Sequence, residues 1–303
     1  MTKTAAPMTS GSIWKQMTFF AMPIFLGNLF QQLYNTVDSL IVGNFLGSSA
    51  LAAVSSSGSL IFMLIGFLSG ISAGAGVIVA RFFGAGDEKN LQRAVHTTVA
   101  FGLVAGVLMT GVGVALSPQI LRWMDTPESV MRESVTYLQI YFAGSLGFVM
   151  YNVLVGILQA VGDSRHPLYY LIVSSVINLV LDLLFITGFH TGVGGAAVAT
   201  VISQIVSALL CFWQLLRTKK SYGLKIRKIR FDKGILVQII KIGLPSGVQN
   251  SIIAFANVIV QSNINAFGEM AMAGYGAYTK VAGFGFLPLN SFPMALTTFV
   301  GQH

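Results

Sequence analysis

Apolar residues concentrate in eight long stretches, approximately 14–41, 51–80, 92–117, 134–160, 167–189, 194–216, 235–264 and 271–300. Each is near or above the roughly 20 residues a helix needs to cross a bilayer core. Polar segments separate them, so the pattern predicts an all-α polytopic membrane protein. The last stretch holds Pro288 and Pro293 and is expected to tilt or kink. Residues 1–13 are polar and read as a tail; no small-residue cleavage site follows a short apolar core, so a removable signal peptide is not expected.

Polar residues inside the first stretch are periodic. Gln31, Tyr34, Asn35 and Asp38 follow i, i+3, i+4, i+7 and form one stripe on a helix, which Asn28 extends by a turn. The fifth stretch repeats the theme with Asn178 and Asp182, four residues apart on one face. In the sixth, Thr200, Ser203, Gln204 and Ser207 make a further stripe. The short link from Gly188 to Gly194 makes the fifth and sixth spans antiparallel neighbours, with Asp182 and Thr200 at comparable depth. Gly194, Gly195, Ala196, Ala197 and Ala199 allow close backbone approach.

The stretches also repeat. Pro23, Asn28 and Asn35 have the spacings of Pro245, Asn250 and Asn257, and Gly47 and Val79-Ala80-Arg81 have counterparts at Gly268 and Val300-Gly301-Gln302. The expected organisation is a tail (1–13), a complete six-helix first lobe (14–217), a basic linker (218–234) and two helices of a second, partial lobe (235–303). Such repeats mark secondary transporters, whose substrate site lies between related halves. Asp38 has Val260 as its counterpart, so the acid belongs to the first lobe alone.

Composition agrees with the apolar pattern: 54% of residues are hydrophobic, 9% are charged and the mean hydropathy is +0.75. A soluble domain carries about 25% charged residues. Cys211 is the single cysteine, which excludes an internal disulfide framework. The net charge of +8 does not point to nucleic acid, because nine of the 18 Lys and Arg lie between Arg217 and Lys241. With the N-terminus placed inside, fifteen basic residues fall on the inner side and only Arg122 and Arg132 on the outer, while Lys280 falls within a span. The positive-inside rule then predicts a cytoplasmic N-terminus in a multi-pass plasma-membrane protein, a bacterial inner membrane by expectation. Most acids sit in or beside loops; Asp38 and Asp182 remain deep in apolar sequence.

Charged groups at membrane depth are expensive and mark functional sites. Two carboxylates, an amide oxygen and a hydroxyl oxygen in one dry cavity suit a hard cation such as Na⁺. They suit proton exchange equally, since burial favours the neutral carboxyl and a like charge favours it further. Asp38, Asn178, Asp182 and Thr200 are therefore the candidate cation or proton site. Gln31, Asn35 and Asn152 are candidate lining of a substrate cavity, and Pro23 is a candidate hinge.

Pro23 followed by Asn35-Thr-Val-Asp38-Ser-Leu-Ile-Val-Gly43 and Leu51-Ala-Ala-Val54 resembles the first-lobe pattern of the multidrug and toxic compound extrusion (MATE) transporters. Asn178-x3-Asp182 with Gly194-Gly-Ala-Ala-Val-Ala-Thr200 is similar to their fifth and sixth spans, and Thr297-Thr-Phe-Val-Gly-Gln302 to their eighth. The resemblance implies a drug/cation antiporter of twelve helices in two lobes, relative to which this sequence is truncated after the eighth span. It implies a cation site of Asp38, Asn178, Asp182 and Thr200 with Tyr34 in its hydrogen-bond network, and bending at Pro23 during the cycle. It further implies small organic cations as substrates, H⁺ or Na⁺ as coupling ion, no cofactor, no enzymatic reaction and a monomer.

Three alternatives have distinct expectations. A related lipid-linked oligosaccharide flippase calls for a cationic central cavity, whereas the deep first-lobe charges are acidic. An intramembrane aspartyl protease is expected to carry Gly-x-Gly-Asp, whereas Asp182 follows Leu-Val-Leu. An inactive fragment of an exporter is the third.

Overall fold

The computed structural model describes residues 12–123, 126, 128–265 and 269–303. Residues 1–11 of the expected tail, Asp125 and Gly268 lie outside the described residues, as does the side chain of Lys280. No strand occurs among the described residues, and the chain is all-α as expected.

The first two predicted spans form one element, α1 (Ile13–Gly84), of 72 residues. Its limbs, 13–46 and 48–84, meet at Gly47, the residue with non-helical angles (φ 89°, ψ −178°). Only a residue without Cβ adopts that φ cheaply, so Gly47 reverses the chain without a loop. Pro23 interrupts one backbone hydrogen bond, yet the first limb runs through it as helix.

α2 (Glu88–Trp123) follows a tight turn. The predicted fourth span, 134–160, is broken: α3 (Glu128–Ala143) and α4 (Ser145–Ala160) meet at Gly144 with a bend of 49°. A Cβ on Gly144 would lie 2.3 Å from Val201 Cγ1, so close packing against α6 explains the glycine. α5 (Arg165–Leu183) ends in a π turn, Leu184–Gly188, before α6 (Gly192–Arg217). Thr191 Oγ1 donates to the Phe185 carbonyl at 2.8 Å and closes that connection. α7 (Lys233–Asn265) and α8 (Glu269–Gln302) complete the chain.

Among the described residues, five helical segments are long and apolar enough to cross a bilayer, or six with the α3–α4 pair counted as one. The first limb of α1 has spanning length, but the stripe from Asn28 to Asp38 dilutes its apolar run. Large apolar side chains such as Val107, Leu108, Leu209, Ile252, Leu289 and Val300 are exposed, as expected of surfaces facing acyl chains.

The main core joins the second limb of α1 to α2, α4 and α6, with Val79, Leu91, Val95, Leu154, Leu158, Cys211 and Leu215 nearly inaccessible. The second limb also lies directly on α7. Gly70 faces Gly247 and Gly74 faces Gly243 so closely that a Cβ on either α1 glycine would sit 2.3–2.4 Å from α7 backbone. Asn250 Nδ2 donates to the Gly66 carbonyl at 3.1 Å. Its counterpart in the sequence repeat, Asn28, donates from the first limb to Ser291 Oγ of α8, also at 3.1 Å. The two equivalent asparagines thus make the same kind of cross-contact, each to the helix pair on the other side of the linker.

Candidate functional site

The first limb of α1 packs beside α3 and α5: Gly27 faces Leu168 and Leu171 of α5, and Ile41 and Val42 cluster with Tyr137 of α3. Asp182 stands in the last turn of α5, just before the π segment, with no solvent exposure. Asn178, one turn earlier, is 1% exposed. Its Nδ2 donates to Thr200 Oγ1 of α6 at 3.5 Å, and that hydroxyl donates to the Ala196 carbonyl at 3.0 Å. Ala196, Ala197 and Ala199 are nearly inaccessible, so small α6 side chains bring Thr200 up to α5.

Asp38 reaches this group from α1. Its carboxyl meets that of Asp182, and Tyr34 on the same face reaches Thr200. The cluster is not self-satisfied. Asp38 Oδ1 and both carboxylate oxygens of Asp182 are buried without a hydrogen-bond partner among the described residues. Buried acceptors in native proteins nearly always have partners, so orphans demand an explanation. A proton or a bound cation supplies one, because an ionised carboxylate can only accept. Asp38, Asp182, Asn178, Thr200 and Tyr34 offer an all-oxygen donor set of the kind hard cations take.

The polar stripes of the sequence do not single out two aromatic residues that stand beside this cluster. Tyr137 and Tyr141 of α3, 6% and 9% exposed, stack at 6.4 Å between ring centroids; Tyr137 stands near Asp38 and Tyr141 near Tyr34. Their i, i+4 spacing was the available signal. Ile41, Val42, Ala50, Ile186 and Val193 pack with Tyr137, Ala196 and Ala197 as an apolar cluster beside these polar groups.

Other candidates fall elsewhere. Gln31 Nε2 donates to Asn35 Oδ1 at 3.3 Å on the partly exposed stripe. Asn152 is not with them: it donates to the Phe148 carbonyl at 2.9 Å and lines a cleft among the second limb of α1, α4 and α8, together with Ser72, Gln159 and Thr298. Residues flanking Pro23 in the chain, Met22 and Phe25, line a small apolar cavity of about 190 Å³ opposite Pro288 of α8. Asp163, which reads as a loop acid, is 1% exposed and accepts from His166 Nδ1 at 2.6 Å.

The family profile described as MatE matches residues 23–184, which include the Asp38 stripe and the Asn178–Asp182 pair. The chain belongs to the MatE family. It is 34% identical over 298 residues to the "Probable multidrug resistance protein YoeA" of Bacillus subtilis, across 96% of this chain and 64% of that one. It is 31% identical to the "Probable multidrug resistance protein YpnP" of the same organism, across 99% of this chain and 67% of that one. A solved MatE-type structure, the outward-facing conformation of a multidrug resistance MATE family transporter, superimposes with a TM-score of 0.89 at 26% identity, covering 96% of this chain and 65% of that one. The chain thus spans about two thirds of the length of these relatives. MatE proteins are integral membrane transporters, and the fold expected from the apolar pattern stands.

Proposed function

We propose that this MatE chain serves export of amphipathic, cationic organic compounds in exchange for H⁺ or Na⁺ by alternating access. Asp38 and Asp182 are its coupling acids. The observation that carries the proposal is the set of buried carboxylate oxygens of Asp38 and Asp182 with no hydrogen-bond partner among the described residues, close to Asn178 and Thr200. Occupation by a positive ion removes the cost of two close, unpartnered carboxylates. An ion favours whichever helix arrangement binds it better, and by no more than that difference in affinity. The acidic pocket favours this over the flippase reading, which calls for positive charge.

In the proposed organisation, 14–217 forms one lobe, 218–234 the linker and 235–303 the start of the second, with the N-terminus cytoplasmic. The matched contacts of Asn28 and Asn250 support that division. The glycine-on-glycine packing of α1 and α7 then closes the cytoplasmic end, leaving the Asp38 pocket toward the other end of the first limb. Pro23 is the proposed hinge, and the apolar cavity beside it leaves room for the limb to bend.

The test is transport of an organic cation into everted vesicles under imposed Na⁺ or pH gradients, wild type against Asp38→Asn. The variant is expected to insert normally and to lose gradient-driven uptake at least a hundredfold. Full uptake by Asp38→Asn rules out the proposed coupling.

A further inference from the structure

The basic linker is pinned rather than loosely tethered. Tyr222 and Leu224 are each 3% exposed, and Leu224 N–H donates to the Leu215 carbonyl at 2.9 Å. His96 of α2, 3% exposed, donates from Nδ1 to the Gln92 carbonyl at 2.6 Å and accepts the Lys225 N–H at Nε2 at 3.0 Å. On the next residue of α2, Thr97 Oγ1 accepts the Asp232 N–H at 3.0 Å and donates to the Arg230 carbonyl at 3.4 Å. Between these two anchors the short 3-10 turn Ile226–Lys228 stands over the first turns of α2.

A cavity of about 420 Å³ lies between the turn and α2. Lys89, Arg93, Arg227, Lys228 and Arg230 line it, with Asp232 as the sole acid. Asp232 is engaged by Arg93 at 3.7 Å, and the other four cations have no carboxylate partner among the described residues. Two nearby cations are placed differently: Arg217, at the end of α6, lies over Trp213 at 4.3 Å and Lys220 of the linker over Tyr222 at 6.0 Å. Positive-inside topology requires a number of basic residues near the membrane; it does not require five of them to converge on one cavity through a buried histidine.

We propose that this cavity is a binding site for a phosphate group, presented by an anionic phospholipid at the membrane border. Guanidinium forks and ammonium groups are the recurring partners of phosphate oxygens, and basic pockets at the ends of membrane helices suit acidic head groups. α2 has 36 residues, about 54 Å of helix against a hydrocarbon core of about 30 Å. Its first turns therefore lie at head-group level, where a lipid phosphate sits. A soluble phosphate compound shares the chemistry but gains nothing from that position.

The test uses the whole chain in detergent and follows thermal unfolding with added phosphatidylglycerol, phosphatidylcholine or inorganic pyrophosphate. Phosphatidylglycerol is expected to raise the midpoint by several degrees where phosphatidylcholine does not, with the effect fading at high salt. The triple variant Arg227→Gln/Lys228→Gln/Arg230→Gln is expected to bind phosphatidylglycerol at least tenfold more weakly. Lys219→Gln, in the same linker but outside the cavity, keeps wild-type affinity. Lys89→Gln approaches the cavity from α2 and is expected to weaken binding as well, which guards against a folding defect in the linker variant. Stabilisation by pyrophosphate alone assigns the site to a soluble ligand and overturns the lipid. Equal phosphatidylglycerol affinity in the triple variant and Lys219→Gln, or no response to either anion, overturns the site. The test depends neither on transport nor on membrane orientation, so its failure is separable from failure of the exporter reading.

Discussion

Asp182 has no solvent exposure, and neither carboxylate oxygen is hydrogen-bonded among the described residues. An acid held this way depends on whatever neutralises it. In wild type, unfolding in detergent is expected to shift with Na⁺ or with pH, because a ligand that binds only the folded form raises its stability. Asp182→Asn is expected to lose the Na⁺ response and to show a smaller pH response than wild type; Na⁺ and pH responses equal to wild type show that the acid does not bind the ion. Outside the membrane segments, the Asp163 carboxylate raises the His166 pKa above its ordinary value. A raised folded-state value means that the pair's contribution is complete below the unfolded value of about 6.5 and is lost as pH rises through the folded one. The stability difference between wild type and His166→Gln is therefore expected to shrink from pH 5.5 to pH 8.5 in thermal melts. A difference that grows with pH reverses the assignment.

At the scale of elements, the second limb of α1 and α7 touch backbone to backbone, and their glycines are spacing devices. A Cβ at Gly70 would lie 2.3 Å from Gly247 N, a distance no side-chain rotamer relieves. Gly70→Val is expected to separate the helices and to cost about 3 kcal/mol, the upper part of the usual range for overpacking. Gly111 of α2 has nothing within 4 Å of a built Cβ. Gly111→Ala is therefore expected to be neutral or to gain up to about 1 kcal/mol from helix propensity. Chemical denaturation of both variants checks the pair, and equal destabilisation of the two contradicts close packing as the reason for Gly70. Element types were readable because apolar runs above twenty residues leave little choice but helix. The breaks were less readable. Gly47 and Gly144 end helices for opposite reasons, one through a left-handed φ and the other through a neighbour, Val201, 57 residues further along the chain. Glycine identity alone does not separate the two cases.

Across the whole molecule, the proposed orientation rests on the charge pattern and the proposed lobe division on the repeat. Cysteine substitutions at Lys219 and Arg122, in a chain carrying Cys211→Ala, are expected to label with impermeant reagents from opposite sides of the membrane, Lys219 from the cytoplasmic side. Labelling of both from one side removes the proposed topology. Cys211 has no exposed surface, so its replacement by alanine clears the background without opening a surface site.

Periodicity and hydropathy were enough to determine the helical class, the stripe carrying Asp38, the Asn178–Asp182 face and the repeated Pro–Asn–Asn spacing, because each is a local property of a regular helix. Only the folded chain decided that Asp38 meets Asp182 and Tyr34 meets Thr200, that Tyr137 stands beside them, that Asn152 belongs to a different cleft, and that the linker closes over α2 through His96. These are contacts between distant segments. They depend on how close the small residues let the helices come and on where the chain turns, and no spacing within one helix encodes either.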